Sequence, residues 1–301
     1  MNKVLVTGAS GFIGRHCLSL LLEQGYEIYS ISRYPLSINP AIHWHQIDLL
    51  DRLSVTQLMA QIKPSHLLHL AWYAVPGKYW TALENFQWVQ ASLNLLQVFK
   101  EYGGERVVMA GSCAEYDWQY GYCDESITPL NPQSPYGICK HSLALMSGAF
   151  CKQTDISAAW GRIFWLYGKF ESPNRLVSSV IKSLLSNNIA QCSAGTQIRD
   201  FLYVSDVADA MVRILGSNLT GAINIASGMP ISIRTLVEHI GNTLDRVELL
   251  KFAPVNNNSE SPLVVANIQR LQSELQWHPN VSLQQGIELS IEFWKQELRQ
   301  S

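Results

Sequence analysis

Three residues near the middle of the chain, Ser112, Tyr136 and Lys140, have the types and spacing to move a proton to or from an oxygen. A phenol alone, with a pKa of about 10, is a poor acid or base at neutral pH. An ammonium beside it favours phenolate and lowers that pKa, and the positive charge of an oxidised nicotinamide would add to the effect. The i,i+4 spacing of Tyr136 and Lys140 sets both side chains on one face of a helix. A serine hydroxyl at the end of the preceding strand can hold a substrate oxygen and share its developing charge. Redox chemistry at a single carbon follows, if a hydride carrier lies beside the three.

The elements that would position such a carrier open the chain. Val4-Leu5-Val6 reads as a buried strand, Gly8, Gly11 and Gly14 follow at intervals of three, and residues 15–22 start a helix with an apolar stripe. Without Cβ atoms the turn can be tight and the backbone can approach a pyrophosphate. The helix N-terminus then offers it N–H groups and a partial positive charge. The G-x-x-G-x-x-G spacing is one residue longer than G-x-G-x-x-G, and its strand–turn–helix context is what gives it weight. Residues 26–32 read as the second strand. In an NAD-binding unit its end carries Asp or Glu, to bind the ribose 2′-hydroxyl. Here stand Ser32, Arg33 and Tyr34. A carboxylate would repel a 2′-phosphate, whereas a hydroxyl and a guanidinium would hold one, so NADP(H) is expected over NAD(H).

The remaining elements alternate. Strands are expected at 42–46, 66–71, 106–110 and 158–162, with Gly111-Ser112 at the end of the third of these. Helices are expected at 84–102, with Phe86, Val89, Leu93, Leu96 and Phe99 as its apolar stripe, and at 136–151 after a long loop. Beyond them come a helix to 185, a strand at 197–204, a helix at 205–215, a last strand at 221–226, and helices at 233–244, 268–275 and 283–298. A mobile loop is expected at 255–262. His69 reads as a packed strand histidine. The aromatic cluster of Trp72, Tyr73, Tyr79, Trp80 and Trp88 could wall a sugar or fill core, and burial accounts for most of it. The pattern is that of an α/β protein, a Rossmann doubly wound parallel sheet with helices on both faces and a smaller mixed α/β C-terminal lobe. Residues 1–162 with 199–227 form the dinucleotide domain in this division. Residues 163–198 with 228–301 form the substrate lobe.

Thr7-Gly8-Ala9-Ser10-Gly11-Phe12-Ile13-Gly14, with Tyr136-Gly137-Ile138-Cys139-Lys140 and a strand-end Ser112, resembles the extended, nucleotide-sugar-modifying branch of the short-chain dehydrogenase/reductase superfamily. Arg199-Asp200-Phe201 with Asp206-Val207-Ala208, and Leu275-Gln276-Trp277-His278-Pro279, carry the likeness through the second half. The resemblance implies that Gly8, Ser10, Gly11, Phe12, Ile13 and Gly14 bind the cofactor. It also implies that Asp48-Leu49 meet its adenine, that Leu70-Ala71-Trp72 run beneath it, and that Lys140 orients its ribose. Asn174 and Arg175 would face substrate, Arg199 would contact a sugar-nucleotide phosphate, and the helices at 84–102 and 136–151 would pair in a homodimer.

Departures narrow the activity. The branch's 4,6-dehydratases carry Asp-Glu directly after the catalytic hydroxyl residue, and here Cys113-Ala114 stand there. Alanine cannot transfer a proton, so dehydration is not expected. Epimerases that use a cysteine hold it at the position of Ala114, so Cys113 is read as a small buried thiol. The second phosphate-binding arginine of the branch has no counterpart in Asn256-Asn257-Asn258-Ser259-Glu260. The reading is therefore NADPH-dependent reduction of a keto group, at C4, on a nucleotide-linked deoxy-keto sugar. The alternatives are an NAD-dependent nucleotide-sugar 4-epimerase and, in another class, a non-catalytic dinucleotide-sensing protein.

Composition removes other classes. A net charge of −2 without a basic run argues against a nucleic-acid partner, and no apolar run approaches a membrane span in length. The chain enters its first strand directly, so no signal peptide is expected. Six cysteines without a C-x-x-C spacing point to reduced thiols in the cytoplasm and to no metal site.

Overall fold

The computed structural model describes residues 2–34, 39–255 and 261–300. Its first half alternates strand and helix: β1 (Lys3–Thr7), α1 (Gly14–Glu23), β2 (Glu27–Ser32), β3 (Ile42–Gln46), α2 (Arg52–Ile62), β4 (His66–His69), α3 (Glu84–Glu101) and β5 (Arg106–Ser112). The second half holds β6 (Tyr122–Cys123), α4 (Pro135–Gln153), β7 (Ser157–Ile163), β8 (Trp165–Tyr167), α5 (Leu176–Leu185), β9 (Ala190–Cys192), β10 (Ile198–Tyr203) and α6 (Val204–Leu215). It ends with β11 (Gly221–Ile225), β12 (Pro230–Ser232), α7 (Ile233–Leu244), β13 (Leu250–Phe252), β14 (Leu263–Ala266), α8 (Gln269–Leu275) and α9 (Leu283–Gln300).

Seven strands form one all-parallel sheet in the order β3-β2-β1-β4-β5-β7-β11. The period-2 alternation of β1 explains its two covered faces. Val4 and Val6 pack with Leu21 of α1 and Met211 of α6, while Leu5 packs with Leu58 of α2 and Phe99 of α3. Chain order reverses between β1 and β4, and loops after the two strands diverge there into a crevice. Local chemistry sets the helix that carries the phenol. Ser134 Oγ accepts the N–H of Gly137 at 3.1 Å, and Pro135 takes the first helical position, where its missing N–H costs nothing.

Three expectations differ in detail. Residues 198–203 do not extend the main sheet: β10 lies between β12 and β14 in a second sheet and also pairs with β8. The main sheet takes its last strand from β11. On α3, Phe86 is 57% exposed, and Leu95, Leu96, Val98 and Phe99 are buried with Ala91. The inner face is turned from the expected stripe, and Asn85 is buried at the helix start, where its side chain accepts Trp72 Nε1 and donates to the carbonyl oxygens of Tyr79 and Ala82. The short strands β6, β8, β9, β12, β13 and β14 are too brief to show periodicity; β8, β9, β12 and β13 pack with Ile181, Ile240 and Ile287, while β6 and β14 pack with Tyr116 and Phe164. The residues of the expected 255–262 loop from 256 to 260 lie outside the described part. Among the described residues no helix is long and apolar enough to cross a membrane.

Candidate active site

At the crevice the glycines act by position. Gly8 has φ +73°, and a Cβ on it would sit 2.8 Å from the main-chain nitrogen of Ala71. A Cβ on Gly14 would sit 2.1 Å from the carbonyl oxygen of Gly8, so α1 can start against the turn only without one. No side chain caps the first turn of α1. An uncapped helix N-terminus over a turn whose three glycines carry no Cβ is what a pyrophosphate needs.

A cleft follows from this turn along the strand ends. Gly8, Ser10 and Gly11 line it from the turn, and Ser32 and Arg33 from the end of β2. Asp48 and Leu49 line it from the segment after β3, and Ala71 and Trp72 from that after β4. Ser10 Oγ and Ser32 Oγ hydrogen-bond at 2.7 Å, and Ser32 Oγ accepts the N–H of Tyr34 at 3.1 Å. The expected cofactor residues divide here. Ile13 and Leu70 line the adjoining cavity, while Phe12 packs on the C-terminal lobe and Gly14 on Gly8.

Trp72 also lines the second cavity, which holds Ser112, Tyr136 and Lys140 together. Lys140 Nζ donates to the carbonyl oxygen of Ala110 at 2.8 Å and lies 3.7 Å from the centre of the Trp72 ring. That ring is held by its own N–H, which donates to Asn85 Oδ1 at 2.8 Å. Burial pulls the Lys140 amine down to about 7, opposed by the Glu115 carboxylate. Burial pushes the Tyr136 phenol above its ordinary value, a hydrogen bond with Ser112 acts the other way, and Tyr79, Cys113 and Glu115 push it further up. The lowering expected from Lys140 is therefore not what this pocket does. Burial is the largest effect, and it keeps the phenol protonated.

Beneath Ser112 lies Glu115, fully buried. Its carboxylate accepts the N–H of Ser112 at 2.7 Å, Trp160 Nε1 at 2.8 Å and Arg162 Nε at 2.9 Å. Cys113 is buried, and burial pushes its thiol well up, leaving it protonated. His69 is buried between the hydroxyls of Thr7 at 2.6 Å and Ser92 at 2.8 Å, and burial holds it down to about 3. It is neutral and structural, as its place in the strand suggests.

A third cleft adjoins the second, and Trp80 and Trp165 line both. Arg199 reaches it from β10 and is 3% exposed, with Nη1 donating to the carbonyl oxygen of Ile198 at 2.9 Å. The next residue, Asp200, is spent inside the fold on the N–H groups of Ser227 and Gly228 at 2.8 and 2.9 Å. Arg175 lines the cavity of Tyr136, and Asn174 is exposed in the turn before α5 and lines neither cleft. Trp118, Trp165, Asn85 and Glu115 are site residues that sequence reading did not single out. For Glu115 the signal was legible, since Ser112-Cys113-Ala114-Glu115 has capping-box spacing. For the others it was not, because no local pattern brings them to the pocket.

The model of the NAD dependent epimerase/dehydratase family matches residues 4–226. The chain belongs to that family. The match ends one residue past β11, so it spans the parallel sheet and leaves most of the C-terminal lobe outside. Membership makes the chain an NAD(P)-dependent enzyme of the extended short-chain dehydrogenase type. Among relatives, a UDP-glucuronate 4-epimerase from Thermodesulfobacterium geofontis is 25% identical, covering 99% of this chain and 98% of that one. A GDP-6-deoxy-D-mannose reductase from Pseudomonas aeruginosa is 26% identical over 99% of each chain. Among solved structures, MoeE5 in complex with UDP-glucose and NAD is 27% identical and superposes with a TM-score of 0.86, covering 99% of this chain and all of that one (100%). The family's relatives thus include both reductases and epimerases of nucleotide sugars.

Proposed function

We propose that this chain uses NADPH to reduce a keto group, at C4, of a nucleotide-linked deoxy-keto sugar. The observation that carries the reading is the end of β2. Ser32 and Arg33 line the dinucleotide cleft where an NAD-binding unit would present a carboxylate. A 2′-phosphate would replace the Ser10–Ser32 hydroxyl pairing with charge-assisted bonds. The glycine turn and the uncapped α1 fit a dinucleotide, which when bound supplies the hydride. The side chains supply the rest. Ser112 holds the carbonyl oxygen, and Tyr136, kept protonated by burial, gives it the proton that completes the alcohol. Lys140, between Ala110 and Trp72, is placed to orient the ribose. Arg199, with Arg175 beside Tyr136, would neutralise the diphosphate.

The test is a panel of 4-keto nucleotide sugars with NADPH or NADH, followed at the nicotinamide absorbance. Oxidation of NADPH by at least one 4-keto sugar, at higher kcat/KM than NADH, is expected. No oxidation of NADPH by any of them rules the reading out.

A second reading is favoured by MoeE5, which holds NAD with UDP-glucose at 27% identity. The same trio could run a 4-epimerase, recognised by copurifying NAD and no net consumption of NADPH. In either case we propose pairing of two copies through α3 and α4. Phe86, Leu145 and Met146 stand exposed there at 57%, 61% and 51%, an apolar face that sedimentation velocity would read as a dimer.

A further inference from the structure

From the phenol of Tyr136 to the guanidinium of Arg199 runs an unbroken series of ring contacts. Tyr136 meets Trp80 at 5.6 Å between centroids, Trp80 meets Trp118 at 6.1 Å, and Trp118 meets Trp165 at 5.6 Å. Arg199 then stands 5.0 Å from the centre of the Trp165 ring. The series is pinned to the catalytic elements at two points. The N–H of Tyr136 donates to the carbonyl oxygen of Trp80 at 3.1 Å, and Trp118 Nε1 donates to that of Cys113 at 2.7 Å. Trp80 and Trp165 face both the cavity of the trio and the cleft of Arg199, so a ligand reaching from one to the other passes along them.

Three of the hydrogen-bonding side chains along that passage are already engaged. Ser134 Oγ caps α4, Gln133 Nε2 donates to the carbonyl oxygen of Asn131 at 2.9 Å, and Tyr116 donates to Asn224 Oδ1 at 2.8 Å. The wall between the reacting carbon and the phosphate end is built largely of the Trp80, Trp118 and Trp165 rings, beside the Tyr79 phenol and Arg175. An aromatic face gains from contact with C–H groups and leaves a hydroxyl pressed on it without a partner.

Resting on the nucleotide-sugar reading above, we infer that Trp80, Trp118 and Trp165 form a subsite that selects hexoses deoxygenated on the face they present to it. An apolar wall discriminates against one added hydroxyl only moderately, by about 10- to 100-fold. Selection by these indoles is thus a preference and not an exclusion.

The experiment uses the full chain with NADPH bound and nucleotide sugars that cannot react. Dissociation constants are measured by calorimetry for GDP-mannose against GDP-6-deoxymannose and for dTDP-glucose against dTDP-6-deoxyglucose. GDP and dTDP alone are included. At least one pair should show the deoxy sugar bound about 10-fold tighter or more. Trp80→Gln should bring that ratio to within about 3-fold, leaving the affinity of the bare diphosphate unchanged, while Trp80→Phe keeps the preference. Equal binding within both pairs, or a loss that extends equally to the bare diphosphate, overturns the indole subsite alone. Absence of binding by every nucleotide would sink the nucleotide-sugar reading, and this inference with it.

Discussion

The Glu115 carboxylate accepts the main-chain N–H of Ser112 at 2.7 Å while its other oxygen accepts Arg162 Nε at 2.9 Å. One buried acid thus holds Ser112 by its backbone and neutralises the guanidinium of Arg162 on β7. Replacing it with Glu115→Gln leaves Arg162 buried without its counter-charge, a change that costs about 3–5 kcal/mol. The same carboxylate holds the Lys140 amine up against burial. The variant should therefore melt earlier and move the alkaline limb of its kcat/KM profile to lower pH. A profile that stays in place while stability falls would confine Glu115 to a structural role.

Tyr136→Phe removes the proposed proton donor and leaves the ring that contacts Tyr79 and Trp80. Turnover should fall by about 10²–10⁴-fold, the usual worth of a positioned acid. NADPH affinity, measured by quenching of tryptophan fluorescence, should stay within about a factor of 3, since a phenol gives up only one hydrogen bond. Retention of turnover would remove Tyr136 from the mechanism.

Arg33→Ala tests cofactor choice. Losing one charge-assisted hydrogen bond is worth about 1.5–3 kcal/mol, so the dissociation constant of NADPH should rise roughly 10- to 100-fold. NADH carries no 2′-phosphate, and its constant should hardly move. Parallel losses for both would mean that Arg33 supports the turn rather than the phosphate.

Lys140 links stability to pH without any ligand. Its pKa is about 7 in the folded chain against the ordinary 10.5, so between those values the unfolded chain binds more protons. Stability from this group therefore rises as pH rises through that window, and the full cost of burying the ammonium is borne below it. In the ligand-free protein, Lys140→Met should gain most over the parent below pH 7 and lose that advantage toward pH 10.5. Melting temperatures across this range read the difference. A gap independent of pH would show that the amine is not titrating there.

The local rules of the chain wrote much of the candidate site's frame. A strand, three glycines and a helix can be read at residues 4–22 because tight turns and strand–helix periods leave marks within a few neighbours. Tyr136 and Lys140 could be paired because helical spacing is local, and Ser112 could be placed because β5 ends there. Tertiary structure alone decided the polarity of that frame. Desolvation lifts the phenol and lowers the amine, and it depends on what closes over the pocket rather than on spacing.

Tertiary packing likewise decided the wall. Trp80, Trp118 and Trp165 come from three loop or strand positions with no common period, and only the closing of β8 and β10 beside the sheet brings them to Arg199. Residues 198–203 read as a strand from their sequence, yet membership of the second sheet was settled by pairing with β12 and β14. A strand's residues state that it will pair, whereas its partners lie far along the chain and are chosen by the fold as a whole.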